Sequence, residues 1–253
     1  MSGHPDVRGM VVGMEGQIEA GRALALEAGL LLDLAKTGDH EAAAQVNLLT
    51  PVVKAWCTDM ANEVAGLGVQ VHGGMGFIEE TGAAQYVRDA RILSIYEGTN
   101  GVQAQDLYIQ KLSRDRGAAM QDWLLAAENI VKTTYDDPAL AEAAKRLTTA
   151  LSTLREANAV MLDYDVLHGA AVSVPYLRLF GHIAGAMMLF RSAVAAKEQR
   201  DNSGDTTFYQ EKITAMAFYL THILPETTAF LETIRTGSDT VTSTETGIFG
   251  KEI

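Results

Sequence analysis

From Val7 to Leu31 the apolar residues Val7, Met10, Val11, Met14, Ile18, Leu24 and Leu31 recur at helical spacings, which places them on one face of a helix over roughly Pro5 to Lys36. A second run, with Val53, Trp56, Met60, Val64 and Leu67 on one side, extends to about Val71. Only Thr37-Gly38-Asp39 separates the two, ending one helix and capping the next. Two long helices joined by so short a turn must lie antiparallel, so the chain is constrained to a helix bundle.

Proline then acts as punctuation. Thr50-Pro51 and Asp137-Pro138 both read as an N-cap followed by proline at the first helical position, where its missing N–H costs nothing, so the second helix is expected to restart at Pro51. From Gln70 to Thr81 the glycines at 73, 74 and 76 forbid a continuing helix. Helix returns near Ala83 to Leu93, breaks at Tyr96-Glu97-Gly98-Thr99, and restarts with Thr99 as N-cap. Beyond Arg116, further amphipathic helices are expected at about 117–134, 138–162, 165–199 and 206–235. Ser113-Arg-Asp-Arg-Gly117 is a polar joint between two apolar regimes. The expected fold is all-α: an antiparallel helix bundle over 1–112, a second helical bundle over 113–235 and an irregular tail over 236–253.

Charge and composition exclude several classes. Twenty Lys and Arg against 32 Asp and Glu give a net charge of −12, which repels a phosphate backbone, so no nucleic-acid partner is expected. A single cysteine, Cys57, makes neither an internal disulfide nor a structural zinc site, and a cytoplasmic setting is expected. His168, His182 and His222 have no metal-like i, i+4 pairing and read as core or surface residues, so no metal is expected. The apolar stretch Leu179 to Phe190 is short and holds Gly181, His182 and Gly185, which argues against a membrane span and for close helix packing at the two glycines. The opening residues lack the blocks of a signal peptide, and apolar periodicity starts at His4-Pro5 as though a domain had been entered partway.

The most unusual feature is a glutamate isolated between helices in Ile95-Tyr96-Glu97-Gly98-Thr99-Asn100-Gly101. Flanking glycine lets a ligand approach the backbone closely, and a carboxylate whose surround raises its pKa can act as a general base. The competing reading is a solvated acidic residue near a helix start. The glycine cluster is similarly ambiguous: it could cradle a phosphate or simply turn the chain.

Taken together, Gln70-Val-His-Gly-Gly-Met-Gly-Phe77, Val87-Arg-Asp-Ala-Arg-Ile92 and Ile95-Tyr-Glu-Gly-Thr-Asn100 resemble, in order and spacing, the C-terminal helical domain of the acyl-CoA dehydrogenases over about residues 4–110. Residues 111–253 resemble the C-terminal extension of the longer, methylthiopropionyl-CoA dehydrogenase-like members. The resemblance implies that Glu97 is the catalytic base, taking the α-proton of an acyl-CoA while the β-hydride goes to flavin adenine dinucleotide (FAD). It places Gly98 at the substrate thioester, and Thr99, Asn100 and Gly101 against FAD. Gln70, Val71, His72, Gly73 and Gly74 would reach the dinucleotide of a neighbouring subunit, whereas Arg88 and Asp89 would be structural, in a salt bridge or helix cap.

The resemblance further implies a homo-oligomer, dimer or tetramer, and an electron-transfer flavoprotein as electron acceptor. The family's N-terminal and middle β-domains and the start of its C-terminal bundle have no counterpart in these 253 residues, so the isolated chain is expected to be inactive. The alternative is a non-catalytic helical assembly module that keeps the motifs.

Overall fold

Residues 3–200 and 206–244 are described in the computed structural model, and they form helices joined by turns, with no strand among them. Helices α1 (Pro5–Lys36) and α2 (His40–His72) are the expected antiparallel pair, and Asp39 caps α2 by accepting from the Ala42 N–H at 3.0 Å. Helix α2 does not restart at Pro51. That residue lies buried inside the helix, and Thr50 Oγ1 donates back to the Val46 carbonyl at 2.7 Å instead of capping. Burial of Leu48, Leu49, Val52 and Trp56 around it outweighs the roughly 3 kcal/mol that a mid-helix proline costs. Pro138 also starts no helix directly: it follows Asp137 in a turn, and the next helix begins at Ala141.

The glycine-rich segment breaks α2 at Gly73, whose φ of +63° lies in the left-handed region. It then folds into a short helix, α3 (Gly74–Phe77), and a 3₁₀ turn at Glu79–Thr81. Gly76 is required by packing, because a side chain there would press into the Val69 backbone and His72 Cβ. Helices α4 (Ala83–Leu93) and α5 (Asn100–Asp106) follow, the latter running into a π-helical segment, Leu107–Ser113. The remainder comprises α6 (Ala118–Lys132), α7 (Ala141–Asp163), α8 (Val166–Ala171), α9 (Ser173–Arg200), α10 (Thr206–His222), α11 (Glu226–Thr236) and α12 (Ser238–Thr242). Two expected helices are thus divided, at Val172 and before Glu226, and the tail expected to be irregular begins with α12. Positions 245–253 lie outside the described residues.

Helix α9 organises the molecule. It packs against α1, α2, α5, α7, α10 and α11, and the buried residues form one continuous cluster running from Ala20 to Ile234. Among the described residues it is the one helix long and apolar enough to cross a membrane, yet 72% of its apolar window is already buried inside the fold. Its Met187, Met188 and Phe190 are core residues. Gly181 and Gly185 are the expected close-packing pair: both face the indole of Trp56 on α2, and a Cβ on Gly185 would stand 2.6 Å from Trp56 Cη2.

The face that α1 buries differs from the expected one. Gly13, Gly16, Gln17, Ala20, Gly21 and Leu24 are buried, whereas Val11 and Ile18 are exposed. Small residues let α1 approach α2 and α10 closely: the Gly13 position faces Phe218, and Gly16 faces Tyr219. The larger apolar side chains Met14 and Ile18 line an open groove of about 760 Å³ shared with α2 and α4.

Candidate functional site

The turn that ends α4 is tight, with the Ile95 and Tyr96 N–H groups both donating to the Ile92 carbonyl. Asn100 N–H reaches back to the Ser94 carbonyl at 3.1 Å, so residues 95–99 are pinched into a small loop. Thr99 is the N-cap of α5, as its position in the sequence predicts, with Val102 N–H 3.4 Å from its hydroxyl. Pinching the loop forces Glu97 to φ +52° and Gly98 to φ +91°. Glycine takes that conformation freely. A glutamate does not, and non-glycine residues held there concentrate at functional sites.

Glu97 is exposed, and its carboxylate has no hydrogen bond or ion pair among the described residues. The N–H groups of Glu97 and Gly98 likewise make no hydrogen bond to a described protein acceptor. The loop therefore presents one free acid and two free donors to the outside.

What holds this loop comes from α2. Lys54 Nζ donates to the Gly98 carbonyl at 2.6 Å and to Asn100 Oδ1 at 2.9 Å. The Asn100 amide nitrogen lies 2.7 Å from Asp59 Oδ1, 2.9 Å from Thr58 Oγ1 and 3.1 Å from the Ala55 carbonyl. Both ends of the Asn100 side chain are thus engaged within the protein, where they fix the loop. Lys54, Thr58 and Asp59 escaped sequence reasoning. The usable signal was Lys54, Thr58 and Asn62 at i, i+4 and i+8, a polar stripe on an otherwise apolar helix, with Asn62 Nδ2 also tying the Ala90 carbonyl of α4 at 3.1 Å.

Gln70, His72, Gly73 and Gly74 lie exposed at the C-terminal end of α2, with Val71 half-buried. Space in front of Gly73 and Gly74 is open, with no heavy atom within 4 Å of where a Cβ would stand. His72 Nδ1 is 2.7 Å from the Gly68 carbonyl one turn back. These residues do not converge with the Glu97 loop: the loop is tied at Lys54 to Asp59, and the eleven residues from Asp59 to Gln70 rise about 16 Å along the helix. One chain therefore offers two separate surfaces. Arg88 pairs with Glu79 at 2.8 Å in an exposed salt bridge, while Asp89 accepts from Gln85 at 2.7 Å.

The histidines carry no metal arrangement, and no group of three His, Cys, Asp or Glu among the described residues is placed to hold an ion. His168 folds onto Asp165, which caps α8. His222 stacks on Phe218 with ring centroids 4.2 Å apart. His182 is largely enclosed between Trp56 and Phe230, and this desolvation pushes its pKa down to about 4.

Two family models match the sequence: "Acyl-CoA dehydrogenase, C-terminal domain" over residues 1–111 and "Acetyl-CoA dehydrogenase C-terminal like" over residues 125–245. A 3-methylmercaptopropionyl-CoA dehydrogenase of Ruegeria pomeroyi is 44% identical over 237 residues, covering 89% of this chain and 40% of the relative. A broad-specificity linear acyl-CoA dehydrogenase of Mycobacterium tuberculosis is 31% identical over 251 residues, covering 92% and 41%. The chain thus spans about 40% of the length of these relatives. In three dimensions it superposes on Caenorhabditis elegans ACDH-11 in complex with C11-CoA with a TM-score of 0.71 at 21% identity, over 97% of this chain and 41% of the other. A FAD-complexed acyl-CoA dehydrogenase of Bacillus anthracis gives 0.68 at 16% identity, over 97% and 43%. At such identities these likenesses speak for the fold.

Proposed function

We infer a function from one premise: the chain belongs to the acyl-CoA dehydrogenase family, matching its C-terminal domains. We propose that it contributes the base and part of the cofactor surface of an enzyme that oxidises an acyl-CoA thioester across its α and β carbons. The observation that carries this reading is Glu97, a free carboxylate on a strained, backbone-anchored loop whose own N–H groups are unpaired.

In this reading Glu97 accepts the α-proton. Gly98, lacking a side chain, lets the thioester come down onto the loop. The N–H of Glu97 is free to donate to the thioester oxygen as negative charge develops there, the electrostatic contribution that acyl-group chemistry needs. An exposed glutamate is a poor base for so weak an acid, so desolvation by the acyl-CoA and by the surfaces that close over the loop would bring it toward the required basicity.

FAD supplies the hydride acceptor when bound. The residues fit such a group along open backbone: Gly73 and Gly74 on one surface and Gly101 on the other carry no side chain to obstruct a dinucleotide, and Thr99 stands beside Gly101. Asn100 fits as a brace behind that surface. Because the two surfaces lie about 16 Å or more apart along α2, they serve best as parts of two sites, with Gln70 to Gly74 reaching a neighbouring subunit's dinucleotide. A homodimer or tetramer and an electron-transfer flavoprotein as acceptor belong to this proposal, as do a cytoplasmic setting and little or no turnover by these residues alone.

The test compares Glu97→Gln with Glu97→Asp in the assembled, flavin-loaded enzyme, using acyl-CoA substrates of graded length. Loss of about three orders of magnitude in turnover for Glu97→Gln, with partial activity for Glu97→Asp, is expected. Wild-type turnover by Glu97→Gln would remove the assignment.

A further inference from the structure

Between α1, α2, α9 and α11, on the side of α2 that carries Asp59 and Glu63, lies a second and smaller cavity of about 160 Å³. Its walls are Trp56 and Phe230, with Gln17, Asp59, Glu63, Arg178, His182 and Glu226 supplying the polar groups. Apart from Asp59, whose other oxygen braces Asn100, none of them takes part in the proposed dehydrogenase chemistry.

Among them the buried Gln17 lacks a hydrogen-bond partner in the described residues, while the carboxylates of Glu63 and Glu226 stand exposed at the mouth of the cavity. Gln17 is only 6% exposed, yet its amide makes no hydrogen bond with any described residue, and the amide opens onto the cavity. Glu63 has no ion pair or hydrogen bond among the described residues. The nearest basic atom to Glu226 is His182 Nε2 at 3.8 Å, on a ring that burial keeps neutral. Partial burial raises the Glu226 pKa, and repulsion from Glu63 across the space adds to it. Arg178 faces the same cavity but is directed to Asp59, at 3.7 Å. Asp59, Glu63 and Glu226 against Arg178 leave an excess of two negative charges at neutral pH.

An unpaired amide able to accept, two unpaired carboxylates and two aromatic walls define a chemistry. A metal ion is disfavoured, since no three ligating groups are suitably placed among the described residues. We propose that this cavity binds a small organic cation bearing several N–H donors and a short apolar tail, an alkylammonium or alkylguanidinium. The volume corresponds to about five water molecules, enough for such a group and too small for a nucleotide. The charge would sit between Glu63 and Glu226, an N–H would meet the Gln17 carbonyl, and the tail would lie on Trp56. The site joins the two halves of the chain, since α1 and α2 lie in one family match and α9 and α11 in the other. It stands independently of the dehydrogenase reading.

The experiment titrates the purified 253-residue chain with methylguanidinium chloride, following the Trp56 indole and Gln17 amide resonances by NMR. N-methylurea serves as the uncharged isostere and sodium chloride as the ionic-strength control. The expected result is saturable binding at about 1 mM or tighter, absent with both controls. Glu63→Gln, at an exposed position where folding is not at risk, should weaken it at least about fivefold, and Glu63→Gln with Glu226→Gln should abolish it. Shifts that never saturate, equal shifts with N-methylurea or with salt, or undiminished binding in a folded Glu63→Gln chain would each overturn the proposal.

Discussion

The ammonium group of Lys54, on the long second helix, stands 2.6 Å from the carbonyl oxygen of Gly98, the residue next to Glu97. A charge-assisted hydrogen bond of this kind is worth about 1.5–3 kcal/mol, and Lys54 spends a second one on Asn100. The strained Glu97 backbone is held from behind by a lysine 43 positions earlier in the chain. Lys54→Met should therefore release the loop. In the assembled enzyme the expected outcome is at least about a tenfold fall in kcat with acyl-CoA affinity changed far less, and a stability loss of about 2 kcal/mol in urea titrations.

The indole of Trp56 occupies the space left by two missing side chains on α9. Gly181→Ala would drive a methyl group into that ring, and Gly185→Ala would do nearly the same. Either change should cost about 1–3 kcal/mol in the urea midpoint. Trp56→Leu in the same chain should recover part of the loss, so that a double-mutant cycle gives a coupling of the order of 1 kcal/mol.

Burial holds His182 neutral with its pKa down at about 4, against 6.5 for a free imidazole. The unfolded chain then binds the extra proton first as pH falls. Stability from this group is complete above pH 6.5 and is lost progressively between 6.5 and about 4, by no more than about 3 kcal/mol. Glu226 works in the opposite sense, because its raised pKa favours the folded state on acidification. Chemical unfolding across that window should show a shallower pH dependence in His182→Gln than in the unmodified chain.

The thiol of Cys57 is pushed up by burial to about 11, from 9.0. At mildly alkaline pH its thiolate population is about a hundredfold lower than that of an unburied thiol. Ellman's reagent should react slowly with the folded chain and promptly, at one equivalent, once urea unfolds it.

The first two long helices, the α4–α5 break and the Thr99 cap were legible because they rest on local rules of spacing, glycine and capping. Pro51 was misread for the same reason: its neighbours Leu48, Leu49, Val52 and Trp56 bury enough surface to carry a proline through the helix, and that gain belongs to the tertiary fold. The buried face of α1 was also missed. Its large apolar residues suggested the core, whereas close approach to Phe218 and Tyr219 selects Gly13 and Gly16, and Val11 and Ile18 face outward. At the site, Glu97 stood out through its setting in the chain. Lys54 and Asp59 did not, because their role exists only when residues some 40 positions apart are brought together.

The most direct measurement concerns the proton that Glu97 is assigned to remove. Exchange of the α-hydrogens of a bound acyl-CoA with solvent deuterium, followed by mass spectrometry in the assembled enzyme, isolates proton abstraction from hydride transfer. The account predicts rapid exchange in the unmodified enzyme and none above background in Glu97→Gln, with acyl-CoA binding preserved. Exchange at the unmodified rate in a Glu97→Gln enzyme that still binds acyl-CoA would contradict it.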